Sequence, residues 1–482
     1  MQRYGFFLYF QTFSHFFYIF FVILCRNPKK TTMKSDSRAT FKSKIGIIMA
    51  AVGSAVGLGN IWRFPYETGQ NGGGAFLLVY LICVFVLGIP TLLAEMTLGR
   101  MAKTNSVGAF RRMTKHPVFG RIGYVGVLSC LLILGFYTVV AGWTFQYMWE
   151  SVSGGIMGLN SEQFTQSFVE FSTSPFQPIF WTMLMLVITH LIIIGGVQKG
   201  IERAAKLMMP LLFVLLVVLC VNSLMLDGAR EGLMFLFKPD FKAIDSTVIL
   251  SAMGQAFFSL SLGAGVMITY ASYFEDDVNM PRTATTVALL DTSVALLAGV
   301  MIFPAVFTFG IEPTQGPNLV FVTLPNIFAQ LPFGSVWSFI FFLLLALASI
   351  TSLISLHQVV TAYVEEEFKM SNRKAALVVT LLAAVLAVFA SLSLGIMNDV
   401  RIFGMCLFDL LDYVTAKLMM PLGSLLLCVF MGWRLEKSVL ISELTNHHTL
   451  RWSLTKAFVI VLKYIVPILV TMVFVNELGL FN

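Results

Sequence analysis

Gly53-Ser54-Ala55-Val56-Gly57-Leu58-Gly59-Asn60 lies in the middle of an apolar run of about 25 residues, long enough to cross a bilayer. A second apolar run carries Ser259-Leu260-Ser261-Leu262-Gly263-Ala264-Gly265 at its centre. Glycine costs about 1 kcal/mol per position in a helix relative to alanine, so clusters at mid-membrane depth predict that both helices unwind there. Irregular backbone at that depth is tolerated where it lines a cavity. Close helix packing through small residues is the other use of such glycines. Two clusters at matching positions, each flanked by hydroxyl or amide side chains, favour unwinding.

The rest of the chain frames these two segments. Of 482 residues, 57% are hydrophobic and 12% charged, with mean hydropathy +0.84, so a water-soluble globule would expose large apolar surface. The long continuous runs are not the ten-residue alternation of a barrel, which makes the fold class all-α and polytopic. Spans are expected at about 45–70, 74–101, 121–148, 178–196, 203–222, 248–274, 284–310, 335–368, 374–394, 400–432 and 453–478. The glycine clusters fall in the first and sixth of these. A separation of five suggests two five-helix repeats of inverted topology, about 45–222 and 248–432, joined by an extracellular loop at about 223–247. A cytoplasmic loop and an eleventh helix follow in about 433–482.

The net charge of +7 and pI near 9.0 do not point to nucleic acid, because the basic residues alternate between loops. Arg100, Lys103, Arg111, Arg112, Lys115 and Arg121 lie between the second and third spans, whereas Glu150 to Gln177 is acidic. Along the chain roughly 24 Lys/Arg fall on one side and about four in the loops of the other. The segment at about 33–44 is therefore expected to be cytoplasmic and the protein to lie in the inner (cytoplasmic) membrane. Cys25, Cys83, Cys130, Cys220, Cys406 and Cys428 show no paired spacing and read as small buried hydrophobes. Residues 1–32 form an apolar, Phe- and Tyr-rich extension that makes a poor signal peptide. An extra helix, an interfacial anchor and translation from Met33 compete as readings; we favour the last.

Few polar residues interrupt the spans. Asn60, Ser259 and Ser261 flank the breaks, Asp291 stands alone in the seventh span, and Ala348-Ser349-Ile350-Thr351-Ser352 puts adjacent hydroxyls in the eighth. Hydroxyls, an amide, carbonyls and one carboxylate form a hard-oxygen set suited to an alkali cation, without sulfur or imidazole. Thr351 and Ser352 have an alternative in bonding back to their own helix. For Asp291 the alternative is an unrelated salt bridge or a partly wet position. Arg63 with Asp412, and Arg38 with Glu366, are candidate charge pairs on opposite sides of the cavity; Glu365 to Glu367 also reads as a solvated helix end.

From Arg38 to the C-terminus the chain resembles the neurotransmitter:sodium symporter family in its bacterial eleven-helix branch. The motifs are GSAVGLGNIWRFP at Gly53 to Pro65, Asn71-Gly72-Gly73-Gly74-Ala75-Phe76, Gly254-Gln255, Ser259 to Gly263, and Ile268-Thr269-Tyr270-Ala271-Ser272-Tyr273. The resemblance implies a LeuT-like fold of two inverted five-helix repeats, with helices 1 and 6 unwound, plus an eleventh helix. It implies sodium-coupled symport of an amino acid by alternating access, with two sodium ions and no organic cofactor, and leaves a homodimer open.

Carried onto matching positions, the resemblance sets one sodium among the Ala55 carbonyl, Asn60, Ser259 and Asp291, touching the substrate carboxylate. A second would lie among the carbonyls of Gly53, Val56 and Ala348 and the hydroxyls of Thr351 and Ser352. The substrate carboxylate would meet the amides of Leu58 and Gly59 and the Tyr137 hydroxyl. Its side chain would face Ile133, Phe258, Ser261, Ala264, Ser352 and Leu356. Arg63 and Asp412, under Phe258 and Tyr137, would form the outer gate; Arg38 and Glu366, supported by Tyr273 and Gln358, the inner one.

Departures from the family pattern sharpen the reading. Gly57 stands where monoamine members carry aspartate, so the solute is expected to bring its own carboxylate. Ser259 replaces the commoner threonine. Asp291 replaces the sodium-site asparagine, and Ala295 stands where chloride-dependent members have serine. A fixed carboxylate there, with Tyr80, Gln255 and Ser259 nearby as donors, implies transport independent of chloride. Ala264, Gly265 and adaptable Met267 suggest a large apolar or aromatic amino acid. An intramembrane enzyme is disfavoured because no His/Asp/Ser or metal-binding set converges in the spans; His357 reads as a packed or cavity-edge residue. A channel, a non-transporting receptor or a symporter of another carboxylate-bearing amine remain the competing functions.

Overall fold

A computed structural model describes residues 39–155, 158–310 and 318–477. The expectations for residues 1–32 and for Arg38 lie outside them. Among the described residues, eight helices are long and apolar enough to cross a membrane, and two bent pairs bring the number to ten. The broken pair Ser246–Ser259 and Val266–Ala271 supplies the remaining expected span.

Both glycine clusters break their helices. The first span runs Lys44–Ala55, opens through an extended Val56 (ψ 116°), and resumes as Gly59–Gln70 at a bend of 54°. Pro65 lies inside this helix directly after the π-turn Gly59–Arg63, where it has no N–H to give to the preceding turn. The sixth span stops at Ser259 and restarts at Val266. In between, Gly263 (φ 84°) and Gly265 (φ 71°) occupy left-handed backbone that a side chain would strain. Ser261 takes a similar angle, φ 51°, without being glycine, and is held by its N–H to the Phe258 carbonyl at 3.1 Å.

The loops carry helices that the span reading left out. Ser161–Thr173 starts on a capping box of Asn160 and Gln163, a signal legible in the sequence, and meets the fourth span at 69°. Ser106–Met113 is capped by Asn105, Leu319–Gln330 lies between the seventh and eighth spans, and Lys437–Leu444 precedes the last.

Long buried helices hold the frame. Phe119–Ser153 and Gly334–Phe368, the third and eighth spans, are the most buried, each 78% inside over its apolar window. At the C-terminal end of the second span, Arg100 ties two loops together. Its Nε meets Glu443 at 2.5 Å while Nη1 donates to the Val278 carbonyl at 2.6 Å. The entry to the first span is anchored too: the Lys42 N–H donates to Glu202 at 2.8 Å, and Phe41 packs edge-on to Tyr270 and Tyr273. Cys83, Cys130, Cys220, Cys406 and Cys428 are buried free thiols.

Candidate functional site

The two breaks face each other and are bonded together. The Asn60 amide donates to the Ser259 hydroxyl at 2.9 Å and to Asp291 Oδ1 at 2.8 Å, while its own oxygen accepts from the Gly57 N–H at 3.0 Å. Ser259 donates to Asp291 Oδ2 at 2.6 Å. One side chain from each of the first, sixth and seventh spans thus meets at a single fully buried carboxylate. Hydrogen bonds to a buried carboxylate partly offset the loss of its hydration. Oxygens grouped in this way can take up a hard monovalent cation.

A second oxygen group lies across the first break. The Ser352 hydroxyl donates to the Val56 carbonyl at 3.2 Å, joining the eighth span to the unwound segment. Gly53 packs so closely on this helix that an added Cβ would stand 3.3 Å from Thr351 Cβ. The Thr351 hydroxyl donates to the Ala348 carbonyl of its own helix at 2.9 Å, the local bonding left open above.

Between the breaks lies a cavity of about 60 Å³. Ala55, Gly59, Ile133, Tyr137, Phe258, Ser259, Ser261, Ala264, Ser352 and Leu356 line it, every expected substrate contact except Leu58. Leu58 contributes through its backbone, donating to the Tyr137 hydroxyl at 3.1 Å. Ile133 and Tyr137, like Ser352 and Leu356, are four apart and therefore share a helix face. Glycine at 57 is a steric requirement: a Cβ there would stand 2.6 Å from Ser352 Oγ and 3.0 Å from Tyr137 Oη. A Cβ on Gly59 would press within 2.7 Å of the Phe258 ring. Gly57 lines it too, and the sequence reading missed Ser54, Phe136, Val266, Ser355, Thr415, Ala416 and Met420, which complete the lining. Phe136 and Ser355 were reachable by helical spacing, each three residues after Ile133 and Ser352, whereas nothing local marks the residues of the tenth span.

The expected gates are brought together unevenly. Arg63 does not pair with Asp412 among the described ion pairs. It reaches Glu67, one turn along its own helix, at 3.4 Å, and lies 4.5 Å over the Phe258 ring. A partner four residues away needs no long-range closure to form, which is why it takes the guanidinium in this conformation. On the other side, Gln358 donates to the Tyr273 hydroxyl at 2.8 Å, and Glu366 accepts from the Asn105 N–H at 2.9 Å. Around Asp291, Tyr80 donates to Ser259 at 3.4 Å and Ala295 is fully buried. Gln255 turns its amide to the Gly59 carbonyl at 3.2 Å, next to Asn60. His357 is a packed residue, bonded to Thr361 and Thr380 at 2.9 Å each.

Apolar spans broken around a largely apolar cavity edged by hydroxyls and a buried carboxylate define a multi-span membrane transporter. The model of the sodium:neurotransmitter symporter family matches residues 38–167 and 163–482. This chain belongs to that family, and its relatives are transporters rather than enzymes. It is 38% identical over 450 residues to the uncharacterized sodium-dependent transporter YhdH of Bacillus subtilis, covering 93% of this chain and 100% of that one. An uncharacterized sodium-dependent transporter of Haemophilus influenzae is 36% identical over 459 residues, with 93% and 100% covered. The crystal structure of MhsT in complex with L-phenylalanine superposes with a TM-score of 0.84 at 43% identity, covering 92% of this chain and 100% of that one. The architecture is accordingly that of a LeuT-fold transporter.

Proposed function

We propose that this protein carries an amino acid into the cell across the inner membrane, driven by sodium ions that enter with it. The observation that carries the reading is the Asp291 carboxylate, bonded at once to Asn60 and Ser259 of the two broken helices beside the cavity. A first sodium would bind there with the Ala55 carbonyl. A second would bind where Ser352 meets the Val56 carbonyl, with Gly53, Ala348 and Thr351.

The substrate carboxylate would sit at the Leu58 and Gly59 amides and the Tyr137 hydroxyl, in contact with the first sodium. Sharing that contact, each ligand raises the other's affinity, which is the linkage that couples the two fluxes. The lack of room at Gly57 supports a solute that brings its own carboxylate. The aromatic ligand named for MhsT supports a large apolar or aromatic side chain. Asp291 supplies a fixed negative charge beside the first sodium, with Ala295 one turn away, which favours transport without chloride. Alternating access would operate by two inverted five-helix repeats moving about the cavity, with Arg63 over Phe258 on the outer side and Tyr273 with Gln358 and Glu366 on the inner.

The test is uptake into proteoliposomes under an imposed sodium gradient, scanning labelled amino acids in chloride and in gluconate. Accumulation of a large apolar or aromatic amino acid that needs the gradient and survives chloride replacement is expected. Facilitated equilibration without accumulation rejects symport, and collapse of uptake in gluconate rejects chloride independence.

A further inference from the structure

One wall of the cavity comes from the tenth span, Leu407–Arg434, which widens to a π-turn at Tyr413–Met419. Past that turn, Met420 and Ser424 are four residues apart and share a helix face, with Ala416 one turn before them. This face touches the break in the sixth span. A Cβ on Gly263 would come within 2.0 Å of the Met420 carbonyl oxygen, and a Cβ on Gly423 within 2.4 Å of the Gly263 carbonyl oxygen. The two backbones are therefore in direct contact at this level. Ala264 from the sixth-span break and Ala416 and Met420 from the tenth span line the cavity next to this contact.

The polar groups that line the cavity beside this contact are already bonded within the protein, whereas the Ser424 hydroxyl, behind the lining against Gly263, is buried without a partner. Thr415 donates to the Leu411 carbonyl at 2.7 Å, and Ser355 donates to the Thr351 carbonyl at 2.9 Å and shares a 2.9 Å bond with the Tyr270 hydroxyl. Cys130 donates to the Ala264 carbonyl at 3.2 Å. A ligand group reaching this end meets methyl groups and a thioether. A charged group would be buried there without a partner.

We propose that Ala416 and Met420, facing Ala264, are the residues that set side-chain specificity at the far end of the substrate. The two alanines leave room for a ring, and the flexible thioether of Met420 packs against a ring edge. The inference rests on the amino-acid reading above and names the side chains that this site accepts.

The experiment is sodium-driven uptake in proteoliposomes, competed by phenylalanine, tryptophan, leucine and alanine, for the unaltered protein and for Ala416→Val, Ala416→Leu and Ala264→Phe. Filling the gap from either side should weaken phenylalanine and tryptophan by about tenfold or more while alanine stays within about threefold, with the valine variant intermediate. Met420→Ala should weaken the aromatic substrates and leave the sodium dependence unchanged. Equal losses for alanine and phenylalanine, or no loss in folded variants, overturn the assignment of this wall while leaving amino-acid symport intact. An unaltered protein that accumulates no amino acid with sodium overturns the reading beneath it as well. The valine variant guards against misfolding, because it adds only two methyl groups.

Discussion

Replacing Asp291 by asparagine removes a charge and almost nothing else. The carboxylate accepts from Asn60 at 2.8 Å on one oxygen and from Ser259 at 2.6 Å on the other. An asparagine can keep both contacts, its oxygen accepting from Asn60 and its amide donating to the Ser259 oxygen in place of the long 3.4 Å bond from Tyr80 once that hydroxyl turns. Asn60 itself cannot easily reverse, because its oxygen holds the Gly57 N–H at 3.0 Å. The substitution therefore isolates the electrostatic contribution to the first cation site. A unit charge about 4 Å from a cation contributes about 4 kcal/mol at an effective dielectric near 20. The amide dipole and the relieved desolvation of the carboxylate offset part of this, leaving about 2 kcal/mol, or roughly thirtyfold in sodium affinity. Sodium-dependent binding of labelled substrate to purified protein, titrated in gluconate, reads this directly. Adding Ala295→Ser to Asp291→Asn should restore part of the affinity in chloride but not in gluconate. An Asp291→Asn protein with unchanged sodium dependence in gluconate would refute the placement of the cation beside this carboxylate.

Two further outcomes follow from the packing. Gly57→Ala drives a methyl group to 2.6 Å from Ser352 Oγ, and overpacking of this kind costs about 1–3 kcal/mol, so substrate affinity should fall roughly five- to a hundredfold, with partial recovery in Gly57→Ala/Ser352→Ala. Equilibrium binding that Gly57→Ala leaves unchanged would remove the steric explanation for glycine at that position. Thr380→Val tests a polar node away from the cavity. Thr380 Oγ1 lies 2.8 Å from His190 Nδ1 and 2.9 Å from His357 Nε2 and donates to the Ala376 carbonyl at 2.8 Å, so both rings must donate to it. Valine strands both N–H groups at a cost of about 1–3 kcal/mol each, which should lower the thermal midpoint in detergent and spare substrate affinity. A midpoint that does not move would show that the two imidazoles find other acceptors.

The breaks were legible because glycine acts locally. A cluster of residues without side chains disfavours helix wherever it occurs, and at mid-membrane depth the exposed backbone must line a cavity. Ile133 with Tyr137 and Ser352 with Leu356 were legible because helical periodicity fixes which residues share a face. Asp291 was legible because a carboxylate in an apolar span is too costly to be idle. These features depend on a few neighbouring residues and on the bilayer, and the sequence by itself determined them.

What only the tertiary structure decided are the meetings between distant segments. Ala416 and Met420 are as apolar as any lipid-facing residue of their helix, and only the contact of the tenth span with Gly263 turns them towards the cavity. The sequence pairs Arg63 with Asp412; the conformation of the first span gives it instead to Glu67, four residues on. Gln255 likewise donates to the Gly59 carbonyl, which already accepts the Phe64 N–H in the π-turn after the first break. Spacing along a chain specifies a face, but the partner opposite that face is set by how the helices cross, which is a property of the whole packed bundle.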